Sequence, residues 1–287
     1  MKQLLLLFLI LPGFVFAQKD STNFWKLGGN ASLNFSQVSL TNWVAGGKSS
    51  ASGTVLFNAF ANYQKGKLSW ENSLDLGYGM LKENSNQSVK TDDKIDFSSK
   101  VGLKAKGKFY YSALFNFRSQ MAPGYNYPDR QNAISNFMAP GYFILALGAD
   151  YKPNEHFSLF LSPLTGKLTV VADDSLSNAG AFGVDPGKKS LGEMGAYVKV
   201  HVKTDVMKNV SLETKLDLFS NYLHKPKNVD VHWDVLINMK VNDYLSANLN
   251  TNLIYDDDVK IPDKNGGHAA PKIQFKELFG VGFNVKF

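Results

Sequence analysis

Alternation with a period of two residues runs through most of this chain, and no other feature restricts its fold as strongly. Val231, Trp233, Val235, Ile237, Met239 and Val241 interleave with His232, Asp234, Leu236, Asn238, Lys240 and Asn242. Successive side chains of a strand point to opposite faces, so this segment has one apolar face and one largely polar face. The stretches Met194 to Val202 and Val210 to Leu218 repeat the pattern, with Lys199, Glu213, Lys215 and Asp217 on the polar parity. Twelve such runs are read, at about 25–38, 51–64, 68–81, 95–105, 109–120, 142–152, 157–171, 194–204, 210–222, 231–241, 245–255 and 275–287.

The connections between these runs alternate in length. Lys65-Gly66-Lys67, Lys106-Gly107-Lys108, Pro153 to His156, Asp205 to Asn209 and Asn242 to Tyr244 are short, and the others span about 8 to 21 residues. An even number of strands with all long loops at one end predicts an all-β fold, a closed antiparallel up-and-down transmembrane β-barrel. Its short turns would be periplasmic and its long loops extracellular. Lipid offers no partner to an unpaired strand edge, so the sheet must close on itself. Phe109, Tyr111, Phe157, Tyr63, Trp70, Tyr78, Trp233 and Tyr255 lie toward strand ends, where amphipathic rings suit the interface.

The first residues have a different character. Met1-Lys2-Gln3 precedes an apolar run from Leu4 to Phe16 and the small residue Ala17, so residues 1–17 read as a secretory signal. The mature chain is expected from about Gln18, with residues 18–287 forming one outer-membrane β-barrel domain. No cysteine is present, which removes disulfides, thiolate catalysis and cysteine-bound metals. The net charge of +6 comes from lysines interleaved with acids along the sequence, a pattern that argues against nucleic acid as a partner.

Two resemblances add to this reading. Phe279, Val281, Phe283, Val285 and Phe287 occupy every second position up to the last residue. This resembles the terminal strand of outer-membrane barrel proteins, which implies recognition of the strand ending in Phe287 by the barrel assembly machinery. Met121-Ala122-Pro123-Gly124-Tyr125, Met138-Ala139-Pro140-Gly141-Tyr142, Leu161-Ser162-Pro163-Leu164-Thr165-Gly166-Lys167, Gly180-Ala181-Phe182-Gly183-Val184 and Asn42-Trp43-Val44-Ala45-Gly46-Gly47 form a second set. Together they resemble an exported Bacteroidetes family of unknown function, domain of unknown function family 3078. That resemblance implies a compartment and no activity.

The polar parity carries both signs: Glu71, Asp75, Asp96, Asp150, Glu213, Asp217 and Asp234 with Lys100, Lys104, Arg118, Lys152, Lys199, Lys203, Lys215, Lys240 and Lys276. Mixed charge favours pairing across strands over a selective ring of one sign. Arg118 and Arg130 are the sole arginines and bracket the first Met-Ala-Pro-Gly-Tyr segment. With Tyr125 and Tyr142 they form the candidate ligand-binding set at the mouth, for a small anion or a lipid headgroup. The competing reading is a lid of two Pro-Gly turns folded together, with Arg118 beneath it as the one fixed cation. Asp256-Asp257-Asp258 with Asp263 offers oxygen ligands but lacks calcium-loop spacing, so no metal is assigned. Ser220, Asn221, His224, His232 and Asp234 could supply a hydrolase, yet no Gly-x-Ser-x-Gly elbow accompanies them, so no catalytic residue is assigned either. The function expected is a narrow channel or a structural membrane protein without cofactors, its partners being membrane lipid and lipopolysaccharide. The alternative is a barrel enzyme acting on membrane lipid.

Overall fold

The structure, a computed structural model, describes residues 24–40, 48–84, 87–261 and 269–287. Residues 1–17, Gln18, the Asn42 to Gly47 motif and Asp263 lie outside the described residues. The chain forms twelve barrel strands: β1 (Trp25–Val38), β2 (Ser50–Lys65), β3 (Leu68–Glu83), β4 (Val89–Lys104), β5 (Phe109–Ser119), β6 (Gly141–Asn154), β7 (Phe157–Val170), β8 (Ser190–Met207), β9 (Val210–Asn221), β10 (Asp230–Lys240), β11 (Leu245–Tyr255) and β12 (Gln274–Lys286). Each pairs antiparallel with its sequence neighbour, and β12 returns to β1, closing the barrel. All twelve predicted runs correspond to these strands.

Two strand starts differ most. β4 begins at Val89 and β8 at Ser190, several residues before the alternation becomes clear. In β4 an irregularity opposite Gly79 and Met80 breaks the parity, so a polar stretch reads as loop although it pairs. Gly192 and Gly195 thin the apolar pattern of β8 in the same way. The β3–β4 connection, expected to be long, is therefore confined to residues 84–88.

The outward face is apolar. On β12, Phe279, Val281, Phe283 and Val285 are exposed at 63%, 45%, 65% and 57%, whereas Asn284 between them is buried. An exterior of this kind is stable only against lipid. At the turn end, Trp25 stacks near Tyr63 and Trp70 with ring centroids 5.2 and 5.6 Å apart. Trp70 and Trp233 each donate their indole N–H to a neighbouring hydroxyl, Ser99 at 2.9 Å and Thr214 at 2.8 Å. Such rings match the interface of a bilayer.

Closure involves a close backbone approach at a glycine. β1 and β12 pair from Asn30↔Lys286 to Asn34↔Gly282, and Gly29 exchanges both backbone hydrogen bonds with Phe287 at 2.9 and 3.1 Å. A Cβ on Gly282 would lie 2.0 Å from the Leu33 carbonyl oxygen, too close for any side chain.

A polar substitution on the outward side of this seam is expected to prevent insertion. Phe283→Asp with Val285→Asp should abolish heat-modifiable electrophoretic migration and outer-membrane yield, since carboxylates would face hydrocarbon. Normal migration of that variant would refute the assignment of this face to lipid.

Candidate functional site

The interior was expected to hold mixed charge, and it does, in a particular arrangement. Lys215 on β9 reaches Asp75 on β3 at 2.7 Å. These strands stand six apart in a ring of twelve, so the pair crosses the full diameter of the lumen. Lys94 on β4 meets Asp234 on β10 at 2.6 Å, again across the diameter. Shorter chords support them. Arg118 bonds Asp96 at 3.2 Å and also Asp217, which Lys199 contacts at 3.0 Å. Lys276 on β12 reaches Asp92 on β4 at 2.6 Å. Below, Lys100 and Lys152 share Glu71 and the fully buried Asp150, with Lys100 to Asp150 at 2.7 Å. An unpaired charge here would be costly in a poorly solvated interior, and each of these cations has a carboxylate.

One sector of the inner wall is apolar instead. Leu114, Ile144, Ala146, Phe160, Tyr197 and Phe219 form a buried cluster across β5 to β9. The charged chords and this wedge together divide the lumen. A cavity of about 310 Å³ reaches Gln120 and Pro140 at the extracellular mouth. A second of about 550 Å³ reaches Asn154, Glu155 and His156 in the β6–β7 turn. Both are lined by Asn58, Asp75, Glu213 and Lys215, which stand where the two vestibules adjoin.

The Ser162-Pro163-Leu164-Thr165 motif brings one further charge to the inner face of the barrel. Leu147 pairs with Leu164 but Ala149 with Leu161, so β7 carries a bulge at this point. Pro163 lacks an N–H and fits a bulge. Ser162 Oγ donates to the Leu147 carbonyl at 2.8 Å and shares a 2.8 Å contact with Thr165 Oγ1. The bulge reverses parity: Phe160 and Ser162 are buried before it, Thr165, Lys167 and Thr169 after it. Lys167 thereby points inward to Glu193 at 3.1 Å, Asp230 at 2.7 Å and Asp256 at 3.5 Å. Without the bulge its ammonium would face lipid. Simple alternation misses Lys167, and the proline within a strand is the available signal for it.

The four mouth residues fall into two pairs. Arg118 and Tyr142 are cross-strand partners on β5 and β6. Arg130 lies over the Tyr127 ring at 4.9 Å and donates to the Ser88 carbonyl at 2.6 Å, while Tyr125 packs 6.1 Å from Tyr127. The first Met-Ala-Pro-Gly-Tyr turn is fastened to β4, where Asp93 accepts from Met121 N at 2.7 Å and Ala122 N at 2.9 Å. The second packs elsewhere: Ala139 is buried with Val171, Leu176 and Val184 of the β7–β8 loop. Gln120 and Ser119 join the two, Gln120 Nε2 donating to Asn136 O at 2.7 Å and Ser119 Oγ to Pro140 O at 3.1 Å. Arg118 is not the one cation beneath them, because Lys94 and Lys199 contact the same carboxylates, Asp96 at 4.0 Å and Asp217 at 3.0 Å.

The remaining candidates are engaged locally. Asp256 faces Lys167, and Asp257 bonds Lys225 at 2.9 Å, an ammonium contact that holds the Asp257 carboxyl below its ordinary range. Ser220 Oγ donates to Pro226 O at 2.7 Å, while His232 Nε2 lies 3.2 Å from Asn252 and 3.4 Å from Asp234.

Removing one partner of a diametral pair should destabilise the barrel. Lys215→Met is expected to lower the unfolding free energy by about 3 kcal/mol, the low end for breaking a buried ion pair. The partial exposure of the Lys215 and Asp75 side chains, 18% and 19%, places it there. Urea-induced unfolding in lipid vesicles measures the change.

No curated protein matches the chain in sequence. Among solved structures, the COG4313 outer membrane channel from Pseudomonas putida F1 is similar at 12% identity, covering 93% of this chain and 99% of that one with a TM-score of 0.40. The translocator domain of the autotransporter NalP from Neisseria meningitidis is similar at 10% identity, covering 94% and 90% with a TM-score of 0.37. In sequence, residues 35–125, from the first strand through the Met-Ala-Pro-Gly-Tyr turn, match the family described as Protein of unknown function (DUF3078).

Proposed function

We propose that this barrel is a narrow, normally closed channel of the outer membrane for small polar solutes. The observation that carries this reading is the septum: two vestibules, opening toward opposite ends, meet at the side chains of Asn58, Asp75, Glu213 and Lys215. Flexible side chains can part, whereas a packed loop or helix inside the lumen could not do so without unfolding. Export by residues 1–17, with cleavage before about Gln18, and delivery of β12 to the assembly machinery belong to the same reading. The mass of the mature protein recovered from outer membranes tests the cleavage site. Lipopolysaccharide and phospholipid are its surroundings.

A structural role is the second reading, favoured by the diametral ion pairs themselves, which hold opposite walls together. An enzyme acting on lipid would need Ser220 oriented by His224 or His232, and its bond to Pro226 O directs it elsewhere.

Conductance in planar bilayers separates these readings. The parent should conduct weakly, and deletion of residues 122–138 should change this little because the septum lies below the lid. Asp75→Asn with Lys215→Gln should raise conductance clearly, because the ionic attraction across the lumen is then lost. A septum variant that inserts normally yet conducts no better than the parent would leave only the structural reading.

A further inference from the structure

We infer that one sector of the periplasmic rim, formed by the β2–β3 and β4–β5 turns, binds anionic phospholipid headgroups of the periplasmic leaflet. This goes beyond the channel reading and does not depend on it. Both turns carry the same tripeptide, Lys65-Gly66-Lys67 and Lys106-Gly107-Lys108. Gly66 and Gly107 have φ of 57° and 62°, the left-handed region that favours glycine in so tight a reversal. The two turns are also stitched together, Lys104 N donating to Lys67 O at 2.7 Å. Lys65, Lys67, Lys106 and Lys108, with Lys104 on the lumen side of the same rim, are thus one contiguous group, all exposed. None of the five forms an ion pair among the described residues.

The rest of the rim is different. Among the described residues its acidic side chains, Glu155, Asp205 and Asp243, sit on or beside the β6–β7, β8–β9 and β10–β11 turns, where Lys240 holds Asp243 at 2.6 Å. The terminal residue Phe287 lies at the β1–β12 seam beside Gly29. The β2–β5 turns contain no carboxylate at all. Charge is therefore asymmetric around the rim, and the excess lysine gathers on one side.

Height decides what meets this sector. Lys67 directly precedes Leu68, Lys108 precedes Phe109 and Lys104 follows Leu103, residues 41%, 53% and 54% exposed on the outer surface. At roughly 3.3 Å per residue the lysines stand within one or two steps of the apolar band, the level of headgroup phosphates. Trp25, Tyr63 and Trp70 lie in the adjoining interface, and the Lys65 ammonium sits 4.9 Å from the Phe24 ring. Lysine ammoniums on flexible stems suit mobile phosphates better than a fixed planar anion, and their stems can lie along the apolar band. A soluble polyanion would gain nothing from this proximity to the hydrocarbon edge.

Tryptophan quenching tests the inference on the full mature barrel. Trp43→Phe and Trp233→Phe leave Trp25 and Trp70 as the reporters of this sector. The protein is reconstituted in phosphatidylcholine containing either brominated phosphatidylglycerol or brominated phosphatidylcholine, in both leaflets. At low ionic strength brominated phosphatidylglycerol should be preferred by about fivefold, as expected for lysines at a charged surface. High salt should erase the preference, and so should Lys67→Gln, Lys106→Gln and Lys108→Gln combined. The corresponding three arginine substitutions should retain it, and heat-modifiable migration checks that every variant is folded. Equal quenching by both lipids in the parent would overturn the inference, as would a preference that survives in the folded glutamine variant. If instead only cosedimentation with peptidoglycan distinguishes parent from glutamine variant, the sector serves a polymer and the lipid assignment is wrong.

Discussion

Every part of this molecule depends on the rule that no backbone N–H or C=O can be left facing hydrocarbon without a partner. A sheet in lipid must then have no edge, and here that is achieved at a single seam where β12 meets β1. At the seam, position 282 carries no side chain and so lets the two backbones approach. Phe287, the last residue, closes the ladder by exchanging hydrogen bonds with Gly29. The apolar outer surface follows from closure, since the alternating pattern gives each strand one face for lipid and one for the lumen.

Closure in turn creates an interior problem. The inward faces bring many charges into a space poorly supplied with water, where an isolated ammonium or carboxylate would be unstable. The barrel resolves this by pairing across the lumen as well as between neighbours, with Lys215–Asp75 and Lys94–Asp234 spanning its diameter. The same contacts that satisfy the charges also tie opposite walls of the barrel together. In the channel reading proposed above, any opening would have to separate pairs that also hold the walls.

The fold was legible in the sequence to an unusual degree, because strand parity and loop-length alternation are local signals. The terminal run from Phe279 to Phe287 and the polar parity of β9 both translate directly into outward and inward faces. The site was less legible. Lys167 is placed inward by a bulge at Pro163 that no alternation count detects, and Asp92 and Lys94 fall beside the irregular start of β4. The inner apolar wedge was also hidden, since Phe143 to Ala149 runs almost without a break in apolar character and does not declare which side is which.

By itself the sequence determined the number of strands, the end at which the long loops lie, the lipid face and the sign mixture of the lumen. These follow from period, spacing and parity, which are properties of adjacent residues. Only the tertiary structure decided which charges meet, because Asp75 and Lys215 lie far apart in the chain and come together only when the ring of strands has a definite diameter. It also decided where the net charge resides. Along the sequence the lysines alternate with acids and form no patch, but the barrel consumes the acids inside its lumen and leaves lysines together on adjacent turns of the rim.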